Sequence, residues 1–362
     1  MMRSKKALYS LLAVCLLICM LFVSCASSGG VSTGGSDTKT NNSAGSNESS
    51  GGGNSGKGDG SGSGNGGNGD GGGNGPTNDE YTRVEKTVTF GSYPQTKVES
   101  SALISALNST AGALPTSSDA KAWTDYGYWS SSSISSYMWY IDVEHEGAEY
   151  RGVYFTSYRP ENCHTSSNLT PSNNQQYINS YETGTVYWFK YEPIRWTIVH
   201  EASGKALLVC DMILDAQQFD QRKNAQATND YSVSSIRAWL NESFYTTAFT
   251  ASEQAILVKT TVDNGLDGEK AKTTDDFVFL LSSKEADSYF AMNDDRKKSA
   301  TDYTFAQGIK PSDSGDVRWW LRSSAGNTNY PTEKVVQLGK TFFSETVWYI
   351  NVGVVPAVVI TL

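Results

Sequence analysis

The chain has 362 residues with a formal net charge of −9, 38% hydrophobic residues and 12% aromatic residues. Removal of Arg3, Lys5 and Lys6 with the leader described below takes that charge to about −12, and no basic stripe runs along the rest. A nucleic-acid partner, which needs a cationic footprint for the phosphate backbone, is therefore not expected.

Arg3, Lys5 and Lys6 precede an apolar run over residues 7–23, the charged and hydrophobic parts of a secretory leader. Phe22-Val23-Ser24-Cys25 resembles a bacterial lipobox, with Phe22 departing from the usual leucine. That resemblance implies a leader over residues 1–24, acylation at Cys25 and a lipid-anchored place in the cell envelope, with the fold exposed at the surface. An ordinary cleaved leader or a spanning anchor are the alternatives. Residues 25–80 are expected to form a disordered Gly/Ser/Asn-rich tether, because Val31 is the only large apolar residue between positions 26 and 76. Twenty of the 34 glycines lie between Ala26 and Glu80. A flexible segment of this length has a reach of roughly 40 Å. Cys15, Cys19 and Cys25 belong to the leader and lipobox, which leaves Cys163 and Cys210. An oxidising compartment admits either a disulfide or two buried thiols.

Residues 81–362 are the expected folded part, long enough for a large domain with an insertion at about 100–185. A strand is expected over residues 86–90, then a turn at Gly91-Ser92-Tyr93-Pro94-Gln95. A helix follows over 101–108, where Leu103, Ile104 and Leu107 recur at helical spacing. Residues 138–143 and 150–155 read as a hairpin with His145-Glu146-Gly147 at its turn, and residues 158–177 as a long polar loop. Two strands are expected at 186–189 and 194–199, joined through Glu192-Pro193, and another at 206–210 after Ser203-Gly204-Lys205. Ser234 is placed to cap a helix with Ile236, Trp239 and Leu240 on one face. Thr250 with Glu253, and Ser282 with Glu285, are capping boxes on either side of a short strand at 278–281. This succession is not an alternating βαβ series and argues for the α+β class.

The C-terminal block is the most distinctive. Trp319-Trp320-Leu321-Arg322-Ser323 and Gly353-Val354-Val355-Pro356-Ala357 enclose a polar and aromatic middle, and residues 358–362 read as a buried closing strand. With the Gly-Ser-Tyr-Pro-Gln motif, this pattern resembles a C-type-lectin-like domain of the formylglycine-generating-enzyme type, shared with treponemal and other retroelement-diversified variable proteins. The resemblance spans about 86–95 and 192–362. It implies a ligand-binding display domain, with Trp319 and Trp320 in the core and Arg322 as a buried brace. Ligand contacts are then expected from Asn327, Asn329, Tyr330, Phe342, Phe343, Trp348 and Tyr349, of which about half should be exposed, to an unidentified protein or glycan. Glu333, Lys334, Gln337, Lys340, Glu345 and Trp348 cannot arise by adenine-directed mutagenesis of AAC codons, so an ordinary binding surface stands beside a diversified one.

Catalysis is not expected. The copper-binding cysteines of formylglycine-generating enzymes and the histidine cluster of their iron-dependent relatives have no counterpart, since no cysteine follows Cys210 and no histidine follows His200. His145 and His164 form no recognisable ligand set, and Asp263-Asn264-Gly265-Leu266-Asp267-Gly268-Glu269 lacks the spacing of a calcium loop. No metal or other cofactor is expected. An envelope enzyme and a purely structural lipoprotein remain the alternative functions.

Overall fold

In the computed structural model the residues described are 81–116, 118–126, 137–161, 171–222, 228–265, 272–312, 315–324, 331–335 and 339–362. The chain enters with β1 (Thr82–Val84) and β2 (Thr87–Lys97), paired antiparallel. β2 runs through the Gly-Ser-Tyr-Pro-Gln motif, which is therefore not a turn. The glycine and proline are spent on irregularities inside the strand, where register shifts fall between Thr89 and Ser92 and between Pro94 and Thr96. Gly91 has φ +71°, and a Cβ there would stand 2.8 Å from the Phe249 ring and 2.9 Å from the Ala248 carbonyl oxygen. Gly91→Ala should cost about 1–3 kcal/mol in urea unfolding, and a loss below about 0.5 kcal/mol would contradict this reading.

Helix α1 (Ser101–Ala111) starts at Ser100, whose side chain accepts from the Leu103 amide. Strand β3 (Thr124–Asp125) precedes the expected hairpin of β4 (Met138–His145) and β5 (Ala148–Phe155). Its turn residues Glu146 and Gly147 both have positive φ, 51° and 77°, as a tight two-residue connection requires. The expected loop over 158–177 is partly replaced by a turn at Pro171–Asn173 and by α2 (Gln175–Ile178), capped by Asn174. Polar composition hides this order because backbone groups satisfy the buried Gln176. Its amide donates to the Ala306 carbonyl at 2.8 Å and accepts from the Arg159 amide at 2.7 Å. Cys163 and His164 lie outside the described residues.

The two strands expected around Pro193 are one strand of 17 residues, β6 (Val186–Ala202). Pro193 sits opposite Ser92 at the β2 irregularity. On the other edge it falls between residues 186–190, which pair β5, and 196–202, which pair β7 (Lys205–Cys210). There a missing N–H costs no ladder bond. Cys210 is a buried free thiol. Beyond β8 (Asp215–Ala216), Ser234 caps α3 (Ser235–Trp239), which widens through a π turn at Leu240–Phe244 into α4 (Tyr245–Ala248). The two capping boxes form as expected, Thr250 with Glu253 on α5 (Ala251–Ile256) and Ser282 with Glu285 ahead of a later helix. Glu253 also accepts from the Gly91 amide at 2.6 Å, docking the β2 irregularity on the start of α5.

The hairpin β9 (Thr260–Asp263) and β10 (Thr273–Asp276) leads to β11 (Val278–Phe279), α6 (Ser283–Tyr289) and α7 (Asp302–Ala306). The chain closes with β12 (Trp319–Ser324), β13 (Pro331–Val335), β14 (Thr341–Thr346), β15 (Gly353–Val354) and β16 (Ala357–Thr361). The main sheet has the order β11-β16-β7-β6-β5-β4-β3, with β2 also on β6 and β1 on β2. A second sheet has the order β14-β13-β12-β15-β8. Antiparallel pairing dominates and the helices lie between strands rather than alternating with them, so the fold is α+β.

The region expected as an insertion supplies α1 and β3–β5, and β5 extends the main sheet from β6. Adjacent residues of β6 face opposite sides of that sheet. Phe189 enters the large core with Trp319, Trp320 and Ile360, while Trp188 enters a smaller one with Leu107 of α1 and Trp139. The closing strand reads correctly: β16 is hydrogen-bonded on both edges, and Val358 and Ile360 are fully buried. Among the described residues no helix is long and apolar enough to cross a membrane.

Candidate functional site

Among the described residues, two places bear on ligand contact, the segment expected from the sequence and a cavity that was not expected. The expected place is the segment between β12 and β15. Trp319 and Trp320 are completely buried, as anticipated, and Arg322 is 2% exposed. Arg322 braces β12: Nη2 donates to Glu285 Oε1 at 2.7 Å, Nη1 to the Leu280 carbonyl at 2.7 Å and Nε to the Asp263 carbonyl at 3.1 Å. Arg318 pairs with Glu345 at 2.7 Å and reaches Asn351 at 3.2 Å, while Asn351 donates to Glu161. These bonds fix where the segment leaves and re-enters the core.

Within it, Asn327, Asn329 and Tyr330 lie outside the described residues, as does Cys25. Phe342 and Phe343 occupy consecutive positions of β14, with Phe342 in register with Lys334. Trp348 and Tyr349 are both half-buried. The Trp348 indole donates to the Arg222 carbonyl at 3.1 Å, and its own carbonyl accepts from Gln218 at 3.0 Å. Trp348 is thus an anchor of the segment as well as a surface group.

The unexpected place is a cavity of about 420 Å³ walled by Tyr93 of β2, Tyr140 of β4, Arg151 of β5, the start of β8 and the helix over 235–247. Tyr93 is 2% exposed and donates to Asp215 at 2.6 Å. Asp215 is 1% exposed and also accepts from the Ala216 amide at 2.7 Å. Arg151, 5% exposed, forms two parallel bonds of 2.7 Å with Asp142 and lies over the Tyr140 ring at 4.3 Å. Tyr303 meets the Tyr126 hydroxyl at 2.8 Å. Burial opposes the charge of Arg151, yet Tyr303 and the Asp142 pairing hold its pKa well above the ordinary guanidinium value. Burial, reinforced by Asp215, raises Tyr93, so the phenol keeps its proton and remains the donor.

Burial also raises the Asp215 pKa, against the bonds from Tyr93 and Ala216. Its folded value then exceeds its unfolded one, so the native state holds the extra proton. The associated stability is complete below about pH 4 and is lost as pH rises through the folded value. Asp215→Asn should flatten that decline in urea titrations taken from about pH 4 to neutrality. A variant with an unchanged slope would contradict the assignment.

Sequence reasoning passed over this cavity because its walls come from positions far apart in the chain. One local clue was available: Asp215, Gln217, Gln218 and Asp220 are polar but no more than 6% exposed. A polar run directly after an apolar strand is informative when it proves buried. Trp239, expected on the apolar face with Ile236 and Leu240, is half-buried at the cavity wall while those two are fully packed. Neither described histidine lines the cavity or the segment before β15. His145 is at the hairpin end and His200 is exposed on β6. Among the described residues no three His, Cys, Asp or Glu side chains are grouped to hold a metal ion.

The described part is thus an α+β domain with a braced C-terminal frame and a polar cavity. Residues 203–362, under half of the chain, match the family described as a domain of unknown function (DUF6273). That match covers β8, the helix over 235–247 and the whole frame, but not Tyr93, Tyr140 or Arg151. No curated protein and no solved structure matches the chain.

Proposed function

We infer that the chain is a lipid-anchored envelope protein whose folded part is a C-type-lectin-like binding domain held away from the membrane by the tether. The elements over 186–324 support the fold reading: β6, β7, α3–α5, β11, α6 and the Trp-Trp strand follow the order the resemblance implies, with β8, the β9–β10 hairpin and α7 added between them. The binding surface is drawn from Asn327, Asn329, Tyr330, Phe342, Phe343, Trp348 and Tyr349, and its partner is a protein or glycan of the host or the cell wall.

The observation that carries this reading is the bracing of the segment. Bonds through the buried Arg322 and Asn351 and the partly buried Arg318 fix its two ends, so the ordering cost at those ends is already met before a ligand engages the segment. Neither catalysis nor nucleic-acid binding is part of the proposal.

The anchor has a direct test. Cys25→Ala should abolish acyl labelling and partitioning into a detergent phase while circular dichroism stays unchanged. Membrane retention of that variant would mean that the apolar run over residues 7–23 spans the bilayer instead.

A further inference from the structure

The geometry points to a second binding site, in the Tyr93–Arg151 cavity, for a neutral polyhydroxylated ligand of about one or two sugar rings held without a metal ion. Its described lining includes none of the residues proposed for the aromatic segment before β15. The volume of about 420 Å³ falls in the range of small-molecule pockets.

The helix wall is open to solvent: Glu242, Ser243 and Thr247 are exposed, and Gln221 and Trp239 are half-buried. Regular helical spacing groups Trp239, Glu242 and Ser243 on one face. Thr247, four residues beyond Ser243, lines the same wall. The side chains of Gln221, Glu242, Ser243 and Thr247 line the cavity and bond to no other described residue. An amide, a carboxylate and two hydroxyls offered together suit the alternating donors and acceptors of vicinal hydroxyl groups. The half-buried Trp239 supplies an apolar face beside them.

Charge narrows the choice. Arg151 is the one cation among the described residues of the wall; its Nε and Nη2 are paired with Asp142, and its Nη1 lies 3.4 Å from the Tyr303 hydroxyl. An anion would meet Asp125 and Glu242, and among the described lining residues the one cation is already paired with Asp142. A quaternary ammonium needs a cage of several open aromatic faces, whereas Tyr140 is covered by Arg151 at 4.3 Å and Trp239 offers a single face. A neutral polyol satisfies the wall without opposing either charge.

The test uses the full chain in a detergent without a sugar headgroup, with EDTA present. Glucose, galactose, N-acetylglucosamine, maltose and cellobiose are titrated singly by calorimetry and saturation-transfer NMR, with inorganic phosphate and choline as charged probes. At least one saccharide should bind at millimolar or tighter affinity, and neither charged probe should. Gln221→Ala with Glu242→Gln should weaken that binding about tenfold, and Thr247→Val should weaken it independently, at unchanged melting temperature. The inference is overturned if no saccharide binds, if phosphate or choline binds in preference, or if the variants bind as the wild type does.

Discussion

Trp320→Ala should destabilise the domain by about 3–5 kcal/mol, the usual cost of emptying a large buried aromatic site. The residue is completely buried, its indole donates to the Gln217 carbonyl at 2.8 Å, and its ring lies edge-on to Phe219 at 5.7 Å. Alanine would leave both a void and an unpaired buried carbonyl, and the two penalties add in the same place. Gln217 also lines the cavity, so the damage should spread from the frame to that wall. Urea unfolding at fixed pH measures the loss. A value below about 1 kcal/mol would mean that the Trp-Trp strand is not the keystone of the core.

The second large effect is expected at Arg322. Arg322→Ala removes a cation that is 2% exposed and pairs with Glu285 while donating to two backbone carbonyls. Breaking one side of a fully buried pair costs about 3–5 kcal/mol, and with the Glu285 side chain 29% exposed the loss should fall toward the lower end of that range. Glu285 has a second task, since its Oε2 accepts from the Ser282 amide at 2.9 Å in the capping box of α6. The strand and the helix start are therefore one unit. In a double-mutant cycle Arg322→Ala and Glu285→Ala should be strongly non-additive. Additive losses would show that the two residues act separately.

Local chemistry explains which features were legible beforehand. Thr250, Ser282 and Ser234 cap helices because their side chains and neighbours decide the matter within four residues. The hairpin at Glu146-Gly147 and the β-branched closing strand are equally local. Pro193 and the Gly-Ser-Tyr-Pro-Gln motif misled for a related reason. Glycine and proline mark any departure from regular backbone, and only the partner strand shows whether that departure is a turn or an irregularity. The cavity was not legible, because Tyr93, Arg151, Asp215 and Trp239 meet only through sheet pairing and helix packing. Arg151 read as one more hairpin residue until its cross-strand partner Asp142 was in place.

The central claim is that the segment between Arg322 and Gly353 binds rather than merely packs. Its most direct test is capture of the labelled full chain on an array of purified cell-wall polymers, host matrix glycoproteins and free glycans. Tyr330→Ala, Phe343→Ala, Trp348→Ala and Tyr349→Ala are compared singly with the wild type, each with its melting temperature. Tyr330→Ala, Phe343→Ala and Tyr349→Ala should lower capture, by about tenfold for a central contact, and leave melting unchanged. Trp348→Ala should lower both, because its indole also holds the Arg222 carbonyl. Four variants that melt early like Trp320→Ala, or that are captured as well as the wild type, would contradict the account.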